Sequence, residues 1–354
     1  MAPPHPRKRT KPTPGKRPTM RDIAQLVGGV HPSTVSLALR NFPGVSVVLS
    51  KRIQAVAKRL GYRPDPLLAA FNSHRISTSE KRNTPIIALV ADLNTREEWL
   101  ADSLHQQLWQ GARTAAQALH AKLELFLLGS GQMSDSRLNS ILLARGISGL
   151  IVAPVGLERT KMDLDWENYS AVKIESAQLP QPLYQIAVDY RQAARRAWLK
   201  LRACGHQRIG LLCPDDWCVS GREFLLAGYA LEQSHIAAHQ RVPIYTLAQG
   251  NLTAVSTWLI HNRIDAVLSP LDEGLLVVRK AGRAIPSQIS FASLKLVAGA
   301  GAIAGMRAEY GQLGALAVEQ VVTLLRTNQR GAPLSESCTF VPAIWVDGAT
   351  CLSL

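Results

Sequence analysis

The chain has 354 residues, 47% of them hydrophobic and 19% charged, with a formal net charge of +14. That length exceeds what a single core organises, and the apolar fraction excludes a chain that is disordered throughout. The excess of base is uneven: residues 1–82 hold 16 Lys/Arg against three acids (Asp22, Asp65, Glu80), whereas the remaining 272 residues carry 24 bases and 23 acids. This asymmetry predicts a basic module for a polyanion joined to a nearly neutral body.

The five cysteines (Cys204, Cys213, Cys218, Cys338, Cys351) show neither CxxC nor zinc spacing and read as reduced thiols. No apolar run reaches the roughly 18 residues of a membrane span. The Pro- and Lys/Arg-rich start lacks the hydrophobic stretch of a secretory signal, so a cytoplasmic location without a membrane partner is expected.

In chain order, residues 1–18 hold six bases and six prolines, the composition of a disordered basic arm. Such an arm either lies along phosphates or simply raises solubility. Thr19-Met20-Arg21-Asp22 has the form of a capping box. Met20, Ile23, Ala24 and Val27 follow at helical spacing on one apolar face. Gly28-Gly29 ends that helix and permits a sharp turn. Pro32 suits the first turn of a second helix, running from Ser33 to about Arg40 with Val35, Ala38 and Leu39 inward. Ser50 is expected to cap a third helix with Ile53, Val56, Ala57 and Leu60 on its apolar side, ended by Gly61. Three short helices with a glycine turn between the first two predict a helix-turn-helix over 19–63. Its second helix would read the major groove with Ser33, Thr34, Ser36, Leu37 and Arg40 outward.

The segments T-M-R-D-I-A-Q-L (19–26), P-S-T-V-S-L-A-L-R-N (32–41) and L-G-Y-R-P-D-P (60–66) resemble the DNA-binding segment of the lactose-repressor (LacI/GalR) family. The resemblance implies DNA contacts from Thr19, His31, Pro32, Asn41 and Tyr62 beside the outward face of the second helix. It also implies a hinge helix after the Y-x-P motif, within a hinge and linker spanning 64–83. Asp65 and Pro66 could start that helix, placing Leu67, Leu68 and Phe71 against the minor groove, with Phe71 where the family has a wedging leucine. Apolar wedges of this kind unstack base steps; the other reading packs the same side chains against a partner or the body. Two departures stand out. The stretch V-G-G-V-H (27–31) is one residue longer than usual and puts His31 where a serine cap is common. Leu37 stands where arginine is common, which removes a possible guanine contact worth ~1–3 kcal/mol of discrimination. Lys51, Arg52, Lys58, Arg59 and Arg63 read as phosphate clamps, which position without specifying.

Beyond residue 84, apolar runs alternate with helical patterns. Strands are predicted over 86–91, 123–127, 149–153, 186–188, 209–212, 266–268 and 289–292. Helices are predicted over 103–119, 137–144, 191–203, 222–233, 252–261 and 310–326. This alternation argues parallel sheets flanked by helices, and the span is too long for one sheet. The resemblance implies the same for 84–350: a two-lobed α/β body of the type-I periplasmic-binding-protein kind, whose chain crosses between lobes three times and which dimerises and holds an effector between its lobes. Residues 188–212 look like the crossover into the second lobe.

No catalytic constellation appears: G-x-S-x-G, G-x-x-x-x-G-K-[ST] and H-E-x-x-H are all missing from the sequence. The Gly-Ala run 298–302 reads as a loop, and His206 as a structural residue at the start of a strand. Neither an enzyme nor a metal or cofactor is expected. At the implied effector site, Leu225 replaces the arginine that many relatives place before a glycine-aromatic pair, here Gly228-Tyr229, and Arg222 is the nearest base. Lys295 replaces the usual aspartate after Ile285-Pro286-Ser287-Gln288-Ile289. Both changes remove partners for sugar hydroxyls, so the effector is expected to be a sugar derivative or an anion, held by Asp189, Arg222 and Lys295, unless the cleft senses nothing. The expected function is a sequence-specific transcription regulator, a repressor that binds a pseudo-palindromic DNA operator as a homodimer. The alternatives are an architectural DNA-binding protein with a degenerate cleft and a solute-binding protein.

Overall fold

The computed structural model describes residues 18–39, 45–60, 62, 84–129, 133–156, 159–176, 179–214, 219–247, 252–296, 302–333 and 335–351. The chain divides into two compact units, Met1–Ala69 and Ala70–Leu354.

The first unit contains α1 (Met20–Leu26), α2 (Pro32–Leu39) and α3 (Val47–Leu60). Helix α1 begins at a complete capping box. The Asp22 N–H donates to Thr19 Oγ1 at 3.4 Å, and the Thr19 N–H donates to Asp22 Oδ2 at 2.7 Å. Gly28 and Gly29 take positive φ values of 114° and 78°, which side chains disfavour, so the glycine pair is what permits this turn. Ile23, Ala24, Val27, Val35, Ala38, Ile53 and Ala57 form the core, edged by Met20, Leu39, Leu49, Val56, Leu60 and Tyr62. Ser50 is not the cap of α3. The helix starts nearly a turn earlier, where Ser46 Oγ accepts the Leu49 N–H at 3.4 Å. Ser50 instead donates its hydroxyl to the Ala38 carbonyl at 3.2 Å, and Gln54 Nε2 donates to the same oxygen at 3.2 Å. A carbonyl near the end of α2, orphaned by its own helix, thus finds two donors on α3. The turn signals at 41–44 led sequence reasoning past Val47–Leu49, whose adjacent β-branched residues do not announce a helix.

The second unit holds two six-stranded sheets. The first has the order β11-β5-β4-β3-β1-β2, built from β1 (Ile86–Ala91), β2 (Lys122–Leu127), β3 (Gly149–Val152), β4 (Ser170–Ile174), β5 (Tyr184–Val188) and β11 (Cys338–Val341). The second has the order β12-β10-β9-β8-β6-β7, from β6 (Ile209–Pro214), β7 (Tyr245–Leu247), β8 (Ala266–Ser269), β9 (Ser290–Ser293), β10 (Ala304–Arg307) and β12 (Ile344–Val346). All pairings are parallel except β10 with β12. The chain passes between sheets three times, after β5, after β10 and after β11, as the resemblance implied. The fold is therefore an all-α helix-turn-helix followed by a two-sheet α/β body.

Parallel strands buried on both faces need two cores, and β1 shows how its residues divide. Ile87, Leu89 and Ala91 enter one cluster, and Ala88 and Val90 the other. The connecting helices are α4 (Arg96–Ala101), α5 (Ser103–Ala118), α6 (Asp135–Ala144), α7 (Tyr190–Ala203), α8 (Val219–Ser234), α9 (Leu252–His261), α10 (Gly274–Lys280) and α11 (Tyr310–Arg326). Helix α11 lies against α5 so closely that a Cβ at Gly314 would collide with the Leu108 carbonyl. Five strands (β4, β7, β10, β11, β12) and two helices (α4, α10) lack a sequence prediction. In β4 the interruption is Lys173, 5% exposed, whose Nζ donates to the carbonyls of Leu179 at 3.0 Å and Gln181 at 3.1 Å. A lysine satisfied by backbone carbonyls reads as polar in sequence and sits as core.

Candidate nucleic-acid interface and ligand cleft

In the first unit, burial of Val35 and Ala38 fixes which side of α2 faces out. Ser33 is exposed on that side, and Thr34, Ser36 and Leu37 are half-buried along its flank. Pro32 occupies the first helical position, where its missing N–H costs nothing. His31, exposed, caps the helix in place of a serine: its Nδ1 accepts the Ser33 N–H at 3.3 Å and lies 2.8 Å from Ser33 Oγ. Accepting at Nδ1 puts the ring proton of the neutral imidazole on Nε2, which leaves that N–H as an outward donor. Lys51, Arg52, Lys58 and Arg59 are exposed on α3, a helix without an acid. Thr19 serves as the α1 cap, and Tyr62 packs against the three-helix core. Arg40, Asn41, Arg63, Leu68 and Phe71, with the rest of the hinge, lie outside the described residues.

In the second unit, the ends of the parallel strands converge on charged groups. After β1, Asp92 holds Arg159 at 2.9 Å; Asp135 holds the same guanidinium at 3.2 Å, and the Leu128 carbonyl accepts from it at 3.2 Å. The Asp92 hydrogen bond leads the effects that raise the Arg159 pKa above its ordinary value. At the end of β4, Glu175 takes φ 48° and is buried. Its Oε2 accepts the Tyr310 hydroxyl at 2.9 Å, and its Oε1 accepts the Val188 N–H at 3.4 Å. Burial first, then the neighbouring Glu175 charge and Tyr190, push the Tyr310 phenol well above its usual range.

Of the three residues expected at the effector site, Asp189 caps α7, accepting the Gln192 N–H at 2.9 Å. Lys295 follows β9 and sets its Nζ 5.6 Å from the centre of the Tyr310 ring. Arg222 is half-buried in the first turns of α8. Asp189 and Lys295 thus have separate neighbours. Sequence reasoning missed Trp99, His105, Arg159, Glu175 and Tyr310 as groups of this region. The Trp99 and His105 rings stack in parallel at 4.4 Å. The His105 pKa is lowered, chiefly by burial, with the Lys295 charge acting in the same sense and Asp102 opposing it. The Thr95–Glu98 capping box and the Asp102 cap were visible as helix signals, but nothing local indicates the stack. Among the described residues no group of three or more His, Cys, Asp or Glu could hold a metal, and no helix is long and apolar enough to cross a membrane.

The chain thus joins a three-helix helix-turn-helix unit to a two-sheet α/β body. Residues 19–65 match the family model described as "Bacterial regulatory proteins, lacI family". The chain is 25% identical over 204 residues to the HTH-type transcriptional regulator Rv3575c of Mycobacterium tuberculosis, covering 57% of this chain and 54% of the relative. It is 26% identical over 242 residues to the HTH-type transcriptional repressor CytR of Escherichia coli, covering 66% and 64% respectively. The chain thus spans little more than half of the first relative's length and just under two thirds of the second's. Among solved structures, the transcriptional regulator CelR–cellobiose complex superposes with a TM-score of 0.56 at 19% identity, over 94% of this chain and all (100%) of the other. A lac repressor dimer bound to operator and the anti-inducer ONPF gives 0.53 at 19%, over 95% and 100%. At that identity these two likenesses show the fold.

Proposed function

We propose that this protein is a sequence-specific transcription repressor. Acting as a homodimer, it would place α2 of each protomer in the major groove of a pseudo-palindromic operator and respond to a small effector between its two sheets. The observation that carries this reading is the outer side of α2: a polar, capped helix face held out by a buried Val35–Ala38 side and flanked by an acid-free, basic α3. The CytR likeness supports repression, and the operator-bound lac repressor dimer supports a two-fold arrangement. In this reading Thr19, His31, Ser33, Thr34, Ser36, Leu37, Arg40 and Asn41 contact DNA, Lys51, Arg52 and Arg63 clamp phosphates, and Leu68 and Phe71 enter the minor groove from a hinge over 64–83. The reading gives no role to catalysis and sets the protein in the cytoplasm, where its DNA is. The half-buried Leu37, which offers apolar contact in place of a guanine clamp, favours one second reading, an architectural protein with little base preference.

Selection of duplexes from a random pool by the full chain separates the two. Enrichment of an inverted repeat, with affinity falling steeply as salt rises, supports the repressor. Equal binding to enriched and scrambled duplexes rejects it in favour of the architectural reading.

A further inference from the structure

One corner of the second unit gathers hydrogen-bonding atoms that no described residue pairs with. Trp99 Nε1, Ser103 Oγ and His105 Nδ1 are buried and have no hydrogen-bond partner among the described residues. Trp99 is only 1% exposed, so its indole N–H has no access to bulk water. The Trp99–His105 stack at 4.4 Å holds that N–H beside the imidazole, and Ser103 opens the helix that carries His105. Buried donors are almost always paired in native proteins, so a cluster of unpaired ones on adjacent residues calls for a group that pairs with them.

Lys295 approaches from the other sheet. Among the described residues its ammonium makes no ion pair or hydrogen bond, only the approach to the Tyr310 ring. It is near enough that its charge opposes protonation of His105. Among the described residues, Asp102 and Glu175 are already engaged. Asp102 gives Oδ1 to the N–H groups of Leu104 at 2.7 Å and His105 at 3.3 Å, with its Oδ2 3.9 Å from His105 Nδ1. Glu175 accepts from Tyr310 and Val188. A half-buried ammonium without a counter-charge among the described residues, in the neighbourhood of buried donors without acceptors, suits an oxyanion better than a neutral polyol, which needs acceptors as well as donors.

We infer that this corner binds a small carboxylate- or phosphate-bearing anion, with Lys295 supplying the charge and Trp99 Nε1 and Ser103 Oγ the hydrogen bonds. The inference deepens the reading of the chain as an effector-responsive repressor and rests on it. Because the donors belong to the first sheet's side and the ammonium to the second's, the anion would tie the two lobes together.

The test is thermal melting of the full chain at constant ionic strength with succinate, citrate, inorganic phosphate, glucose 6-phosphate or glucose as probe. A saturable rise in Tm with at least one of the anions, and none with glucose, is expected. Lys295→Gln should weaken that response about tenfold or more, the usual loss for a charged hydrogen bond. Lys295→Arg should largely retain it, and Trp99→Phe should weaken it while keeping the ring. A flat response to every anion, a response to glucose alone, or one unchanged by both Lys295→Gln and Trp99→Phe overturns the inference. The melting points of the unliganded variants show whether each still folds. Random-pool selection with the wild-type chain keeps the two readings apart: an enriched inverted repeat beside a flat anion response leaves the repressor standing and removes the anion.

Discussion

The helix-turn-helix and the proposed ligand site differ in where their chemistry is written. In the first unit the groups that matter lie within one continuous stretch, Thr19 to Arg63, and each role follows from helical period and cap spacing. In the second unit, Trp99, Glu175, Lys295 and Tyr310 come from segments up to 211 residues apart (99 to 310), and only the crossing of two sheets unites them. The first is a site of local grammar, the second a site of topology. A single departure such as His31 or Leu37 can be interpreted in place, whereas Lys295 acquires meaning only from neighbours that the sequence does not reveal.

If the two regions are physically separate, damage to one should spare the other. The largest effect is expected from Ile53→Asp, which buries a carboxylate among Ile23, Val35 and Ala57. It should cost several kcal/mol and abolish DNA binding while the body's calorimetric transition stays in place. Loss of both transitions together would break the comparison. Tyr310→Phe acts at the other end. It removes the hydroxyl that donates to the buried Glu175 and should cost the body about 1.5–3 kcal/mol in denaturant titration, with the helix-turn-helix signal unmoved.

Smaller changes sharpen the contrast. His31→Ala removes the acceptor for the Ser33 N–H and should cost the first unit about 1 kcal/mol, whereas His31→Ser should restore most of it. Both can be followed by the unit's own melting transition. Lys51→Ala should weaken binding to all duplexes alike and lower the salt slope by about 1, without changing the selected sequence. Last comes pH. Because His105 is depressed in the fold, the unfolded chain takes up its proton first as pH falls below the ordinary imidazole value of about 6.5. Body stability should therefore decline with acidification from there down to the folded pKa and level off below it. His105→Asn should flatten that limb.

Much of the fold was legible. Strand β1 and helices α9 and α11 match their predicted spans residue for residue, because an unbroken apolar run or a long amphipathic period leaves no competitor. The missed elements carry residues that look wrong alone: Lys173 inside β4, the glycine of Ala304–Arg307 in β10, and the exposed edge strand β11. Tertiary partners rescue each of them. Carbonyls take the Lys173 ammonium, and a Cβ at Gly305 would collide with the Ser293 backbone of neighbouring β9. Helix α3 starts before Ser50 because Ser46 Oγ accepts the Leu49 N–H, while the Ala38 carbonyl takes the Ser50 hydroxyl, a contact that no local spacing reveals. At the cleft, sequence comparison identified Lys295 as an oddity, but its ring neighbour Tyr310 and the Trp99–His105 stack depend on three chain crossings that no window of sequence spans.

The proposed repressor function requires α2 to turn Ser33, Thr34, Ser36 and Leu37 toward base edges. The most direct measurement compares the duplexes selected from a random pool by the wild-type chain and by Leu37→Arg. The account predicts an inverted repeat for both, with one symmetry-related position in each half-site switching to guanine in the variant, since an arginine there gains a bidentate partner. Identical sequence profiles for the two proteins, with both duplex populations bound equally, would contradict it.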